Sequence, residues 1–245
     1  STPIKSSAAS DVYKRQVPAD TYRKIMDHFT PKLWLGMTAT PDKRDDNVEG
    51  RNVYEIFNYQ IAYEIRLQQA MEENLLCPFH YFGITDLSMI GDEEAARDFN
   101  MLTSDERVRH IVNQADYYGY SGDKVKGLIF CSNIKETEEL SAKFNQIINP
   151  ATGKNFRTVA LNGSASEQER QDAFERLAMN EDESSEDRQP LDYIFSVEIL
   201  NEGVDIVEVN QVIMLRPTQS PIVFIQQLGR GLRKAPGKEY VVILD

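Results

Sequence analysis

Seven short apolar runs, separated by amphipathic stretches, constrain this chain more than any other feature. They are LWLGM (33–37), PFHYFGI (78–84), GLIFC (127–131), FRTVAL (156–161), DYIFSV (192–197), QVIML (211–215) and YVVIL (240–244). Each is rich in aliphatic and aromatic residues and too short for a buried helix, which is how strands covered on both faces look. The gaps carry helical periodicity. Val108, Ile111, Val112 and Ala115 recur at i, i+3, i+4 and i+7; Leu140, Phe144 and Ile147 do the same; Ala173, Phe174 and Leu177 line a third face; Ile222, Ile225 and Gln226 begin the last. Strand and helix in alternation predict an α/β fold, an open parallel sheet flanked by helices with right-handed crossovers. Sheets of this kind bind ligands outside the carboxyl ends of their strands.

The unusual polar residues collect where that rule puts a site. TATP (38–41) follows the first run, Ser132 and Asn133 follow GLIFC, and Asn162, Gly163 and Ser164 follow FRTVAL. NEGVD (201–205) comes soon after DYIFSV, and Arg216, Pro217 and Thr218 follow QVIML. Small hydroxyl, amide and glycine groups at one sheet edge suit contact with phosphates. Taken one at a time, each loop reads first as an ordinary turn, because Gly, Asn, Ser and Pro favour turns wherever strands end.

FIQQLGRGLRK (224–234) adds what a turn does not explain. In a helix, Gln226, Arg230 and Arg233 stand at i, i+4 and i+7 and share a face. A glycine inside a helix costs about 1 kcal/mol relative to alanine, so Gly229 and Gly231 call for a compensating reason, such as close approach to another backbone or a ligand. The competing account makes one glycine a helix C-cap, with Arg233 and Lys234 complementing the helix dipole.

Composition narrows the classes. The net charge of −12 speaks against a broad basic surface that holds nucleic acid by releasing counterions. Part of the acid is local, in EDESSED (181–187), read as a solvated surface loop. Cys77 and Cys131 lie far apart and make no disulfide framework, which fits the reducing cytoplasm. His28, His80 and His110 lack ligand spacing, so no metal site is expected from these residues. No apolar run approaches the roughly 18 residues of a membrane span.

In order and spacing these motifs resemble the conserved series of superfamily 2 helicases of the DEAD/DEAH type. TATP is similar to their motif III, LIFCSN to motif IV, NEGVDI to motif V and QQLGRGLR to motif VI, whose pattern is QxxGRxxR. The stretch from NEGVDI to the motif VI run looks most like bacterial helicases related to restriction-enzyme motors. The resemblance implies a RecA-like second helicase lobe with a remnant of the first. ATP and Mg²⁺ would sit between two lobes, with nucleic acid, DNA ahead of RNA, running across both. It implies that Arg230 and Arg233 are arginine fingers on the γ-phosphate, with Gln226 and Gly229 supporting motif VI. Asp205 would contact the ribose or hold a motif VI arginine, and Gly203 would leave room for the nucleotide. Thr38 and Thr40 would couple hydrolysis to strand movement. Ser132, Asn133, Asn162 and Gly163 would touch the nucleic-acid backbone as small donors, which an acidic chain tolerates. Val197 and Glu198 depart from the family pattern, in which many members carry threonine and aspartate.

The sequence contains no G-x-x-x-x-G-K-[ST]. ATGKN (151–155) comes nearest, but Asn155 lacks the hydroxyl for Mg²⁺ and Ile148 stands where the first glycine belongs. No DEAD or DEAH tetrapeptide precedes TATP. Residues 1–16 show no periodicity, and DVYKRQ resembles the translation of a sequencing adapter, so they are set aside from fold reasoning. YVVILD ends without a turn or polar tail, from which the natural chain is expected to continue. The organisation expected is a first-lobe remnant at 17–57, a connecting region at 58–105 and the second lobe at 106–245. This chain on its own is expected not to hydrolyse ATP. Two rivals remain at this level: a RecA-like binding module that never works on ATP, and another doubly wound α/β enzyme with a glycine-rich loop.

Overall fold

The computed structural model describes residues 20–37, 53–84, 99–197, 208–216 and 232–245. The chain divides into two compact units, one of residues 1–66 with 201–203, the other of 67–200 with 204–245. In the first unit, α1 spans Asp20–His28 and α2 spans Val53–Ile56. The expected strand at 33–37 does not form, and Leu33, Leu35 and Met37 are exposed. An extended segment gains stability only through a ladder with a neighbour, and no strand is present among the described residues of this unit.

The second unit contains the sheet. Its elements in chain order are α3 (Leu67–Glu72), β1 (Phe79–Phe82), α4 (Phe99–Leu102), α5 (Asp105–Tyr118), β2 (Gly127–Phe130), α6 (Ile134–Phe144) and β3 (Thr158–Leu161). After these come α7 (Glu167–Ala178), a 3₁₀ turn (Glu181–Glu183), β4 (Tyr193–Ser196), β5 (Gln211–Met214) and β6 (Val241–Leu244). The six strands run in the order β1-β6-β5-β2-β4-β3, and every pair is parallel. Six of the seven apolar runs are therefore strands of one parallel sheet. β1 falls in the stretch expected to connect two lobes, yet it pairs with β6 from Phe79↔Val241 to Phe82↔Leu244 and forms an edge of the sheet.

The strand period of two sorts side chains between two cores. Leu128, Phe130, Ile194, Val212, Met214, Val241 and Ile243 face one side, where Ala173, Phe174 and Leu177 of α7 cover them. Ile129, Cys131, Tyr193, Phe195, Ile213, Val242 and Leu244 face the other, under Val108, Ile111, Val112 and Ala115 of α5 and Leu140 and Phe144 of α6. Strands β2, β4, β5 and β6 are buried at every residue, which is why they appear in sequence as unbroken apolar runs. Gly127 opens β2 beneath the ring of Tyr193, and a Cβ there would lie 2.2 Å from two of its carbons.

Local chemistry starts the helices where they start. Ser104 Oγ accepts the Arg107 amide at the head of α5 (3.2 Å), and Asn133 Oδ1 accepts that of Glu136 at the head of α6 (2.9 Å). At α7, Ser166 and Glu169 close a reciprocal capping box. The acidic run at 181–187 is only partly a solvated loop: Glu181 pairs with Arg157 and lies 3.8 Å from Lys154, which fastens the 3₁₀ turn to the start of β3.

Candidate nucleic-acid and nucleotide interface

From β2 the chain leaves through α6 for β3, on one side of the sheet order; from β5 it goes on to β6, on the other. β2 and β5 are neighbours, so the crevice outside their carboxyl ends is a topological switch point, the usual place for a ligand in such a sheet. Leu215 donates its amide to Phe130 O (2.8 Å), which seats the exit of β5 against the end of β2.

Ser132 and Asn133 stand at that edge, both exposed. The Ser132 amide donates to Glu136 Oε2 (2.7 Å), so it is held by the protein itself. The Asn133 side-chain oxygen caps α6, while its carbonyl accepts from the Thr137 amide (3.1 Å) and hydroxyl (2.8 Å). Asn162 and Gly163 follow β3, two strands away across β4, or about 10 Å at the usual strand spacing. Asn162 Oδ1 accepts from the Ser164 amide (2.9 Å) and hydroxyl (2.6 Å), and Gly163 O accepts from Arg170 Nη2 (3.1 Å). A Cβ at Gly163 would meet open space, so this glycine is not demanded by packing. The local turn and cap roles are thus real in both loops.

Of the nucleotide-side candidates the structure places Arg233 alone. It is exposed and follows the buried Leu232, whose carbonyl accepts the Cys77 amide (2.8 Å) just before β1. That contact puts its main chain beside the segment entering the sheet. The neighbouring Lys234 donates to Asn74 Oδ1 (2.7 Å). Thr38, Thr40, Gly203, Asp205, Gln226, Gly229 and Arg230 lie outside the described residues, as does the helix expected from Ile222 onward. The ATGKN stretch is a tight hairpin rather than a phosphate loop. Ile148 and Asn155 form an antiparallel bridge, and Gly153, at φ +70°, donates to Asn149 O (2.9 Å).

Two residues of this edge were not among the sequence candidates. Arg107 Nη1 lies 2.8 Å from Glu136 Oε1, and both side chains are almost wholly buried, at 1% and 0% exposure. The guanidinium also donates to Leu102 O and, over 3.4 Å, to Leu215 O. The signal for them was present: Arg107 shares an i, i+4, i+8 row with Ile111 and Ala115, and Glu136 shares one with Leu140 and Phe144. A charge on the apolar row of a helix must be paired or desolvated at high cost. Beside the pair, burial pushes the Cys131 thiol far up, so it is a core group and not a nucleophile.

The all-parallel sheet between two helical layers, with its polar loops at the carboxyl edge, has the architecture of the RecA-like lobe of superfamily 2 helicases. Residues 106–235 match the helicase conserved C-terminal domain, and the chain belongs to that family. In Saccharomyces cerevisiae the protein IRC3, whose name describes an ATP-dependent helicase, is 20% identical over 240 residues, covering 93% of this chain and 32% of that one. A solved fragment from Vibrio vulnificus, described as an HsdR subunit of a type I restriction enzyme, superposes with a TM-score of 0.68 at 23% identity, over 92% of this chain and 41% of that one. The type ISP restriction-modification enzyme LlaBIII, solved bound to DNA, gives a TM-score of 0.50 at 21% identity, over 74% of this chain and 12% of that one. The chain spans less than half the length of the curated relatives it matches. Among the described residues, no helix is long and apolar enough to cross a membrane.

Proposed function

We propose that this chain is the C-terminal part of an ATP-dependent helicase or translocase, supplying the nucleotide-facing arginines and part of the nucleic-acid track. The observation that carries the reading is the family match over 106–235, which spans both the switch-point edge and Arg233. In this reading Arg230 and Arg233 meet the γ-phosphate, steadied by Gln226 and Gly229, while Gly203 and Asp205 border the nucleotide. Guanidinium suits the task because it is permanently charged and pairs with phosphate oxygens in bidentate geometry. An arginine in this role is worth about 10³ to 10⁵ in rate. ATP brings the transferable phosphoryl group, and a first RecA-like lobe supplies the phosphate cradle and the Mg²⁺ carboxylate. Thr38 and Thr40 couple the two events. Ser132, Asn133, Asn162 and Gly163 contact the backbone of the nucleic acid, taken to be DNA, as in the LlaBIII complex.

Phosphate release tests this directly. The 245-residue chain alone should show no DNA-stimulated turnover, whereas the protein extended to include a first lobe should. In that longer protein Arg233→Ala should abolish turnover and leave ATP binding intact. Turnover by the chain alone, or full turnover by the Arg233→Ala protein, would refute the assignment. Oligonucleotide binding without turnover in any form would favour a non-enzymatic binding module.

A further inference from the structure

The Arg107–Glu136 pair does more than fill the core. Glu136 uses its two carboxylate oxygens on two different elements: Oε1 on Arg107 of α5 (2.8 Å) and Oε2 on the Ser132 amide of the loop leaving β2 (2.7 Å). Arg107 in turn reaches Leu102 O before α5 and Leu215 O at the exit of β5 (3.4 Å). One buried pair therefore ties together both lips of the switch-point crevice. The lip after β2 carries Ser132 and Asn133. The lip after β5 leads from Arg216 toward the arginine-bearing stretch at 226–233.

Its chemistry favours a mechanical role over a stabilising one. A buried ion pair is on average no more stabilising than a well-packed apolar pair of the same volume, although losing one partner is costly. What it supplies is direction. A planar guanidinium with fixed donors and a carboxylate with two acceptors hold their partners at defined distances and angles. Glu136 also withdraws the Ser132 amide from solvent, which leaves the loop's side chains to meet a phosphate.

We propose that Arg107 and Glu136 are positioning residues that lock the loop after β2 to the exit of β5, so that the nucleic-acid contacts and the start of the segment leading to the ATP-facing arginines move as one body. The proposal rests on the function proposed above, and its test separates the two. Fluorescence anisotropy with a labelled single-stranded oligonucleotide measures binding by the chain, and residue-resolved amide exchange measures the lock. In the unaltered chain the amides of Ser132 and Leu215 should open together, with equal protection. Arg107→Lys keeps the buried positive charge but cannot span Leu102, Glu136 and Leu215 at once, and Glu136→Gln keeps the size but loses one acceptor. Each should speed exchange in both loops and raise the oligonucleotide Kd about tenfold, and the double variant should be no worse than either alone. Unequal protection of the two amides in the unaltered chain overturns the lock without any variant. Losses that add in the double variant, or an unchanged Kd when both loops loosen, overturn the positioning role. An unaltered chain that does not bind the oligonucleotide refutes the proposed function instead, while amide exchange still decides the lock.

Discussion

Gly127→Ala is expected to destabilise the sheet unit by roughly 2–4 kcal/mol, combining the usual overpacking cost with the loss of a buried hydrogen bond. The added Cβ would lie 2.2 Å from Cδ1 and Cε1 of Tyr193, so the ring must move by more than an ångström. It has nowhere easy to go. Tyr193 packs edge-on against Phe144 with centroids 6.0 Å apart and tilted against Phe156 at 5.8 Å. Its hydroxyl meets Gln211 Oε1 (2.5 Å), and Gln211 Nε2 donates to Ala115 O (2.9 Å) and Gly119 O (2.8 Å), closing the end of α5. Displacing the ring thus disturbs β2, β5 and α5 together. Urea unfolding followed by circular dichroism should show the midpoint fall by about 1–2 M at an unchanged slope of about 2 kcal/mol/M. In a Tyr193→Leu background, where the ring is gone, the same glycine substitution should cost less than about 1 kcal/mol, because the two effects share one contact. A midpoint shift below about 0.3 M, or equal costs in both backgrounds, would refute the steric argument.

Two further outcomes are expected. Burial lowers the pKa of Lys124 from 10.5 to about 8, even though its ammonium donates to Leu191 O (2.7 Å) and faces Asp192 at 4.0 Å. Between those two values the unfolded chain binds more protons than the folded one, so this group's contribution to stability rises with pH across the window. The stability of the unaltered chain relative to Lys124→Met should therefore improve by about 2 kcal/mol from pH 7 to pH 10; a flat or falling difference, measured by urea unfolding at both pH values, contradicts the assignment. Asn133→Asp should keep the cap of α6, and with it the melting temperature, while weakening oligonucleotide binding about tenfold, the order expected for losing one charge-assisted hydrogen bond. Asn133→Ala should cost about 1 kcal/mol from the lost cap, and equal binding by all three proteins would remove Asn133 from the interface.

The sheet was legible because burial on both faces leaves a mark that needs no partner to interpret: GLIF, YIFS, QVIM and VVIL are apolar at nearly every position and sit under two helical layers. The same mark misled at LWLGM, since apolar character says that a segment can be buried and not that a neighbouring strand is there to pair with it. Strand order was not legible. Nothing in the local pattern says that β2 lies between β5 and β4, because that depends on where the crossovers land. The Arg107–Glu136 pair was legible only in part: each charge sits on the apolar row of its helix, but its members are 29 residues apart on different helices, and no local pattern says that they meet.

The turn reading and the contact reading of Asn133 and Asn162 need not compete. In both loops the side-chain oxygen accepts from the chain's own groups, Glu136 N in one and Ser164 N and Oγ in the other, and neither of these bonds uses the amide nitrogen. Phosphate requires donors, so the half of each amide engaged locally is the half a phosphate cannot use. The local bond would even serve the proposed contact, since it fixes the side chain in advance and lowers the entropy lost on binding. Such neutral donors also make an acidic chain compatible with a polyanion. In the proposed contact they would hold phosphates through short-range hydrogen bonds and release few counterions, so binding at this edge should depend less steeply on salt than on a lysine-rich surface.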